Sequence, residues 1–158
     1  MSRGNSKTPK HTLEPDARYG SVLVSKLINY IMKNGKKTVA ERIVYNAFDR
    51  AAKELKAEPM DIFAAVLKNV GPAVEVKGKR VAGANYQVPV EVNKDRKVVL
   101  AFRWIVNAAS SRKGAAMYVK LSDELIQAYN NEGAAIKKRD EVHRMAEANK
   151  AFAHFARF

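Results

Sequence analysis

The sequence contains no cysteine among its 158 residues. Disulfide frameworks, cysteine-ligated zinc, iron–sulfur clusters and thiol catalysis are therefore excluded. No apolar run reaches the roughly 18 residues that a membrane span needs, so we expect no transmembrane helix. The N-terminal stretch MSRGNSKTPKHT is polar and basic, without the apolar segment of a secretory signal, and the expected location is the cytoplasm.

Histidine is also scarce, which bears on catalysis and metal binding. The three histidines are His11, His143 and His154. None has a partner at metal-ligand spacing. Gly35-Lys36 matches the end of a phosphate-binding loop, but Tyr30 stands where that loop requires glycine. We therefore expect no catalytic residue, no metal site and no cofactor.

Positive charge is abundant. Lys and Arg total 29 against 16 Asp and Glu, which gives a formal net charge of +13. A surplus of this size favours a polyanionic partner. Hydrophobic residues make up 47% of the chain, which indicates a folded core rather than a basic tail. The length predicts about one domain, and we expect residues 1–158 to form it.

The hydrophobic pattern predicts a mainly α fold, a six-helix bundle, from apolar residues recurring at helical spacing. The fourth helix is apolar over a wide arc and is expected to be central, with Trp104 in the core. Thr38 and Glu41 have the spacing of a capping box. The expected helices span 21–33, 38–55, 59–70, about 94–109, part of 115–130, and about 136–152.

Within this pattern, the first helix is expected to bury one face. Its apolar residues at the corresponding spacing are Leu23, Leu27, Tyr30 and Ile31. Two local signals mark the start of later helices. Pro59 suits the first turn of the third helix, and Asn93 is the expected N-cap of the fourth.

Between the third and fourth helices, apolar residues recur at every second position instead of at helical spacing. This alternation predicts a protruding two-stranded β-hairpin arm at residues 73–92. Pro89 fits there because both strands of a two-stranded ribbon are edges. Residues 1–19 are expected to form an extended basic arm, since they contain Pro9 and Pro15 and few apolar side chains.

The positive charge is concentrated rather than even. Residues 75–120 hold ten Lys or Arg and three Asp or Glu, a net +7. Cations at a helix N-terminus are unfavourable for an isolated protein but suit a phosphate ligand. Alternatively, Asp95, Asp140 and Glu141 neutralise these clusters. The cations at expected helix starts are Lys36, Lys37, Lys94, Arg96, Lys97, Lys137, Lys138 and Arg139.

Aromatic side chains supply a second feature of nucleic-acid sites, because they can stack on unpaired bases. Tyr86, Phe155 and Phe158 are the candidates for stacking.

Four stretches together resemble one protein family. They are YGSVLVSKLINYIMKNGKKTVAERIVYNA (19–47), VAGANYQVPVEV (81–92), FRWIVNAA (102–109) and HRMAEANKAFAH (143–154). In this order they are similar to the bacterial form of the S-seven family of small-subunit ribosomal proteins. That resemblance implies a six-helix body with a β-hairpin between the third and fourth helices.

The resemblance also implies a function. Members are structural, non-enzymatic proteins that bind the 3′ major domain of small-subunit rRNA and nucleate assembly of the subunit head. They lie near exit-site tRNA and the path of mRNA, beside the ninth and eleventh small-subunit proteins. This chain ends at HFARF, without the longer tail of some members, so no function of that tail is expected.

Matching positions imply a set of RNA-binding residues. Arg144, on the sixth helix, and the hairpin tip correspond to the part that faces exit-site tRNA. The N-terminal arm has fewer arginines than in many relatives. The positions matching rRNA-contacting regions are Arg3, Lys10, Lys36, Lys37, Lys77, Lys79, Arg80, Arg96, Lys97, Arg112 and Lys113. Reversing Arg96 and Lys97 to Glu is expected to weaken rRNA binding and to leave, or slightly raise, the melting temperature.

Two other classes of function remain open at this point. The alternative among binding proteins is a basic DNA-binding or regulatory nucleic-acid protein. An enzyme acting on nucleic acid would need a carboxylate cluster for Mg²⁺. Glu75, Glu91 and Asp95 could meet near the hairpin, but they lie among cations and are interpreted as local neutralisers.

Overall fold

The computed structural model of the protein describes residues 12–157. Most of the expected N-terminal arm, with Arg3 and Lys10, lies outside that range. Within it, a mainly helical body carries one hairpin between the third and fourth helices, which confirms the expected fold. The elements are α1 (Val22–Ile31), α2 (Lys37–Leu55), α3 (Pro59–Val70), β1 (Val74–Val81), β2 (Ala84–Glu91), α4 (Lys94–Ser111), α5 (Met117–Tyr129), α6 (Ala134–Ala148) and a C-terminal 3-10 helix (Lys150–Arg157).

Helix α4 is the central helix, as its wide apolar arc predicts, and it contacts α1, α3, α5 and α6. Phe102 of α4 is fully buried, and its ring stacks on Phe63 of α3 at a centroid distance of 6.1 Å. Phe63 in turn contacts Phe48 of α2 at 5.2 Å. These two aromatic pairs, one stacked and one tilted, join three helices and bury large apolar areas. Trp104 is half-buried and packs against the same core.

The buried face of α1 differs from the expected one. Leu23 and Tyr30 are 36% and 39% exposed, so their assignment to the core was wrong. The sequence of α1 is apolar enough to offer two overlapping helical stripes. Leu27 and Ile31 are buried as expected, and packing against α2 and α4 buries Val24, Ser25 and Ile28 in place of Leu23 and Tyr30. The buried residues of α1 are Val24, Ser25, Leu27, Ile28 and Ile31.

The start of α2 also differs, because the expected capping box does not form. Lys36 occupies the N-cap position, and no side chain caps the helix. Asn34 and Gly35 adopt φ of +53° and +70°, and the backbone N–H of Lys37 donates to the carbonyl of Gly35. This tight turn starts the helix one residue early and places Thr38 inside it.

The hairpin follows the predicted alternation. Its register runs from Val74 opposite Glu91 to Val81 opposite Ala84. Ala82 and Gly83 form the two-residue turn with φ of +48° and +87°, the left-handed pair whose twist suits a tight hairpin.

Helix α6 begins at Ala134, two residues earlier than expected, and ends at Ala148, where the 3-10 helix takes over. The early start has a tertiary cause. Glu124 of α5 is fully buried, and its Oε1 accepts a hydrogen bond of 2.8 Å from the N–H of Ala135. A carboxylate from a neighbouring helix therefore caps α6, where it also complements the helix dipole.

The aromatic core makes a testable prediction. Phe102→Ala should lower the free energy of unfolding by about 3–5 kcal/mol, because the ring is fully buried and leaves a cavity. Urea denaturation would measure the loss. Tyr118→Ala is the control, since Tyr118 is 38% exposed, and it should change stability by less than about 1 kcal/mol. Equal losses in the two variants would contradict this description of the core.

Candidate nucleic-acid interface

The turn before α2 presents Lys36 and Lys37 to solvent. Neither takes part in an ion pair with any residue between 12 and 157. The first turn of α2 has no acidic residue and no side-chain cap. The partial positive charge of the helix start thus adds to two free cations, and the arrangement suits an anion.

The hairpin base is joined to α4 by Glu75. Its side chain is 10% exposed, and its carboxylate lies 3.2 Å from Nζ of Lys77 and 3.1 Å from Nη2 of Arg96. Burial by itself raises the pKa of Glu75, but hydrogen bonds from Arg96 and Lys77 outweigh it and leave the pKa below its ordinary value. The interpretation of Glu75 as a local neutraliser is confirmed.

The ion pair between Glu75 and Arg96 changes the stability expected when the cations at the start of α4 are substituted. Asn93 is the N-cap as predicted, with its Oδ1 accepting from the N–H of Arg96 at 2.9 Å. Arg96→Glu would place a second carboxylate beside Glu75, so we now expect it to lower stability. Lys97 has no ion pair in the described part of the chain. The expected unchanged melting temperature therefore applies to Lys97→Glu alone.

Two neighbouring cations in the loop after α4, Arg112 and Lys113, have different roles. Arg112 donates through Nη2 to Oε2 of Glu124 and to Oε1 of Gln127, both at 2.6 Å. Lys120 also donates to the carbonyl of Arg112 at 2.9 Å. Lys113 is exposed and has no such partner in the range 12–157. Arg112 thus holds the loop against α5, while Lys113 is free for a ligand.

The hairpin cations divide in the same way. Lys79 donates through Nζ to the carbonyl of Phe155 at 3.0 Å, whereas Arg80 is exposed and unpaired among the described residues. Tyr86 packs against Phe152 and Phe155, each at a centroid distance of 5.1 Å. Two of the candidates for base stacking therefore contact the protein itself. Phe158 lies outside the described residues.

At α6 two of the three expected cations are neutralised, while Lys137, in the first turn, is exposed and has no ion pair among residues 12–157. Arg139 pairs with Asp140 at 2.7 Å and Lys138 with Glu141 at 2.8 Å, and both cations lie beyond the first turn because the helix begins at Ala134. Arg144 is exposed and has no ion pair within residues 12–157.

The described histidines contact backbone atoms. His143 accepts through Nε2 from the N–H of Ala73 at 3.1 Å, and Nδ1 of His154 lies 3.0 Å from the carbonyl of Ala151. His11 is outside the described range. Over residues 12–157, no group of three or more His, Asp or Glu side chains could hold a metal ion. None of the helices described is long and apolar enough to cross a membrane.

Glu124 is the residue that sequence reasoning missed. It lies on the same face of α5 as Leu121, Leu125 and Ala128, all of which are buried. A carboxylate three residues after one core leucine and directly before another was the available signal, because helix positions three and four apart share a face.

Arg112 and Lys113 allow a matched test. Arg112→Ala should lower the free energy of unfolding by about 3–5 kcal/mol, because it leaves the buried Glu124 carboxylate without its cation. Lys113→Ala should leave stability within about 0.5 kcal/mol of the parent. Chemical denaturation of the free protein measures both. Similar small effects would show that Arg112 is not structural.

The lowered pKa of Glu75 predicts a pH dependence. A depressed carboxyl pKa stabilises the fold above the unfolded value of about 4.3, and this contribution is lost as pH falls through the folded pKa. Glu75→Gln should therefore lower the melting temperature at pH 7, and the difference from the parent should shrink in acid. Melting curves across pH measure it, and a difference that does not change with pH would count against the Glu75 pairs.

Comparison with known proteins agrees with this fold and charge pattern. A family model described as ribosomal protein S7p/S5e matches residues 2–150. The chain is 55% identical over 155 residues to a protein of Chloroflexus aurantiacus, covering 98% of each chain. It is 56% identical over 144 residues to one of Roseiflexus castenholzii, covering 91% of this chain and 92% of the relative.

A third relative has a slightly lower sequence identity. The protein of Thermotoga maritima is 52% identical over 149 residues, which is 94% of this chain and 96% of that one. All three relatives are described as small ribosomal subunit protein uS7. Because the family model and the relatives each cover nearly the whole chain, this protein belongs to the ribosomal protein S7p/S5e family.

Proposed function

We propose that this chain is a structural, non-enzymatic constituent of the small ribosomal subunit that binds rRNA as a single domain. Membership of the ribosomal protein S7p/S5e family supports this, as do the relatives described as small ribosomal subunit protein uS7. The protein would accordingly act on the ribosome, in the cytoplasm.

The observation that carries RNA binding is the set of cations without an internal partner. Of the ten expected contact residues between 12 and 157, four bind carboxylates or carbonyls of the chain. The other six make no side-chain ion pair or hydrogen bond in that range, and their charges are available to phosphates. These six are Lys36, Lys37, Arg80, Lys97, Lys113 and Arg144.

The four engaged cations keep a supporting role in this proposal. Arg112 uses only Nη2 for its internal hydrogen bonds, so its other nitrogens can still meet a phosphate. Lys77 is 57% exposed and Arg96 is 41% exposed despite their contacts with Glu75. They fix the hairpin and loop while adding positive potential beside the RNA.

The finer assignment rests on the family resemblance. It supports binding to the 3′ major domain of small-subunit rRNA, nucleation of head assembly, and a position near exit-site tRNA and mRNA. Arg144 and the hairpin tip are then the parts nearest tRNA, and the ninth and eleventh small-subunit proteins are the neighbours. Double-helical RNA would be recognised mainly by shape and 2′-hydroxyls.

Salt dependence tests the proposal. If about 6–10 phosphates are neutralised, the slope of log affinity against log salt should lie between about −4 and −9 for the 3′ major domain. The variant Lys36→Glu/Lys37→Glu should weaken binding and make the slope shallower by about 1–2. Filter binding over a range of salt concentrations measures both.

The control is Lys53→Glu/Lys68→Glu, which changes the net charge equally at two exposed lysines outside the proposed contacts. It should retain most of the parent affinity. A parent slope near −1, an equal loss in the control, or equal competition by DNA of the same length would overturn the proposal.

A further inference from the structure

The two faces of the hairpin have different surroundings. Residues opposite each other in an antiparallel pair share a face. Lys79 lies opposite Tyr86, and Lys77 lies opposite Val88, so these four side chains belong to one face. Val88 is 1% exposed. Arg80, one residue on, belongs to the other face and is exposed.

The face that carries Lys79 and Tyr86, called the inner face below, contacts the C-terminal 3-10 helix near the hairpin tip. Tyr86 packs on Phe152 and Phe155, whose own rings stack at 6.3 Å with an interplanar angle of 11°. Lys79 on the other strand donates to the carbonyl of Phe155. Only two residue pairs, Arg80–Asn85 and Val81–Ala84, separate the Lys79–Tyr86 pair from the turn. The 3-10 helix therefore contacts both strands close to the hairpin tip.

The hairpin base has separate anchors on the body. Glu75 joins β1 to α4 through Arg96, and His143 of α6 accepts from the N–H of Ala73. With only these contacts, the half of the hairpin nearer its turn would be an unsupported two-stranded ribbon, and such a ribbon is marginally stable by itself. The aromatic contact adds a second support at a distance from the first.

We propose that the C-terminal 3-10 helix is a brace that fixes the direction of the hairpin, with Phe152 and Phe155 as positioning residues. They act through Tyr86 and Lys79. The contact holds the opposite face of the hairpin, the outer face that carries Arg80, in one orientation. This inference rests on the proposed rRNA binding, because the benefit of the brace is that the ordering cost of the arm is met before RNA arrives.

Distance measurements between spin labels test the brace in the full chain without RNA. The protein has no native cysteine, so labels at Ala84→Cys on the hairpin and Ser110→Cys on α4, both exposed positions, are unique. The parent should give one narrow distance distribution. Phe152→Ala/Phe155→Ala should broaden it at least about twofold, because the tip then swings about its base anchors.

Two further variants make that result specific. Lys150→Ala, in the same 3-10 helix, removes only an exposed pair with Glu147 and should leave the distribution narrow. Phe152→Tyr/Phe155→Tyr keeps the ring contacts and should restore the parent width. An unchanged distribution in the double alanine variant would overturn the brace.

Binding to the 3′ major domain completes the test. The double alanine variant should bind about threefold to tenfold more weakly with an unchanged salt slope, since it loses preorganisation and no phosphate contact. Unchanged affinity, or weaker binding with a narrow distribution, would overturn the positioning role, and the latter would indicate direct stacking on RNA. If the parent itself shows no preference for rRNA, the proposed function fails, while the distances still report on the brace.

Discussion

One fully buried carboxylate, that of Glu124 on α5, connects its helix to the end of α4 and to the start of α6. Its Oε2 accepts from Arg112 in the loop after α4, and its Oε1 accepts from the N–H of Ala135 at the start of α6. A buried charge is tolerated only when it is paired and hydrogen-bonded. Gly133 is part of the arrangement, since a Cβ there would lie 2.9 Å from Oε1 and its φ of +94° favours glycine.

The same principle recurs where other segments meet the body. Glu75 binds the hairpin base to α4, and Asp16 accepts from the backbone N–H groups of Arg18, Tyr19 and Ser21 at 2.8–3.1 Å. Acidic residues are the minority in this chain, and several of them are used at such junctions. The cations that they do not engage remain at the surface, where they are available for the proposed RNA binding.

Local signals were sufficient for much of the fold. Pro59, Asn93 and the alternation around Gly83 each predicted an element that the structure contains, because helix starts and tight hairpins are set by neighbouring residues. The buried face of α1 and the start of α6 depend instead on packing partners distant in sequence. For the site, the sequence predicted which cations to consider, but whether a given lysine or arginine has an internal acceptor depends on tertiary contacts such as Lys79 with Phe155. The individual RNA contacts stay predictions.

A double-mutant cycle of Arg112→Ala and Glu124→Ala, measured by urea unfolding of the free protein, tests the central claim most directly. If the carboxylate and the guanidinium act as one structural unit, the two losses should be strongly non-additive, with a coupling free energy of about 1.5–3 kcal/mol. Additive losses within about 0.5 kcal/mol would contradict the account and would show that the Arg112 guanidinium does not compensate the buried carboxylate.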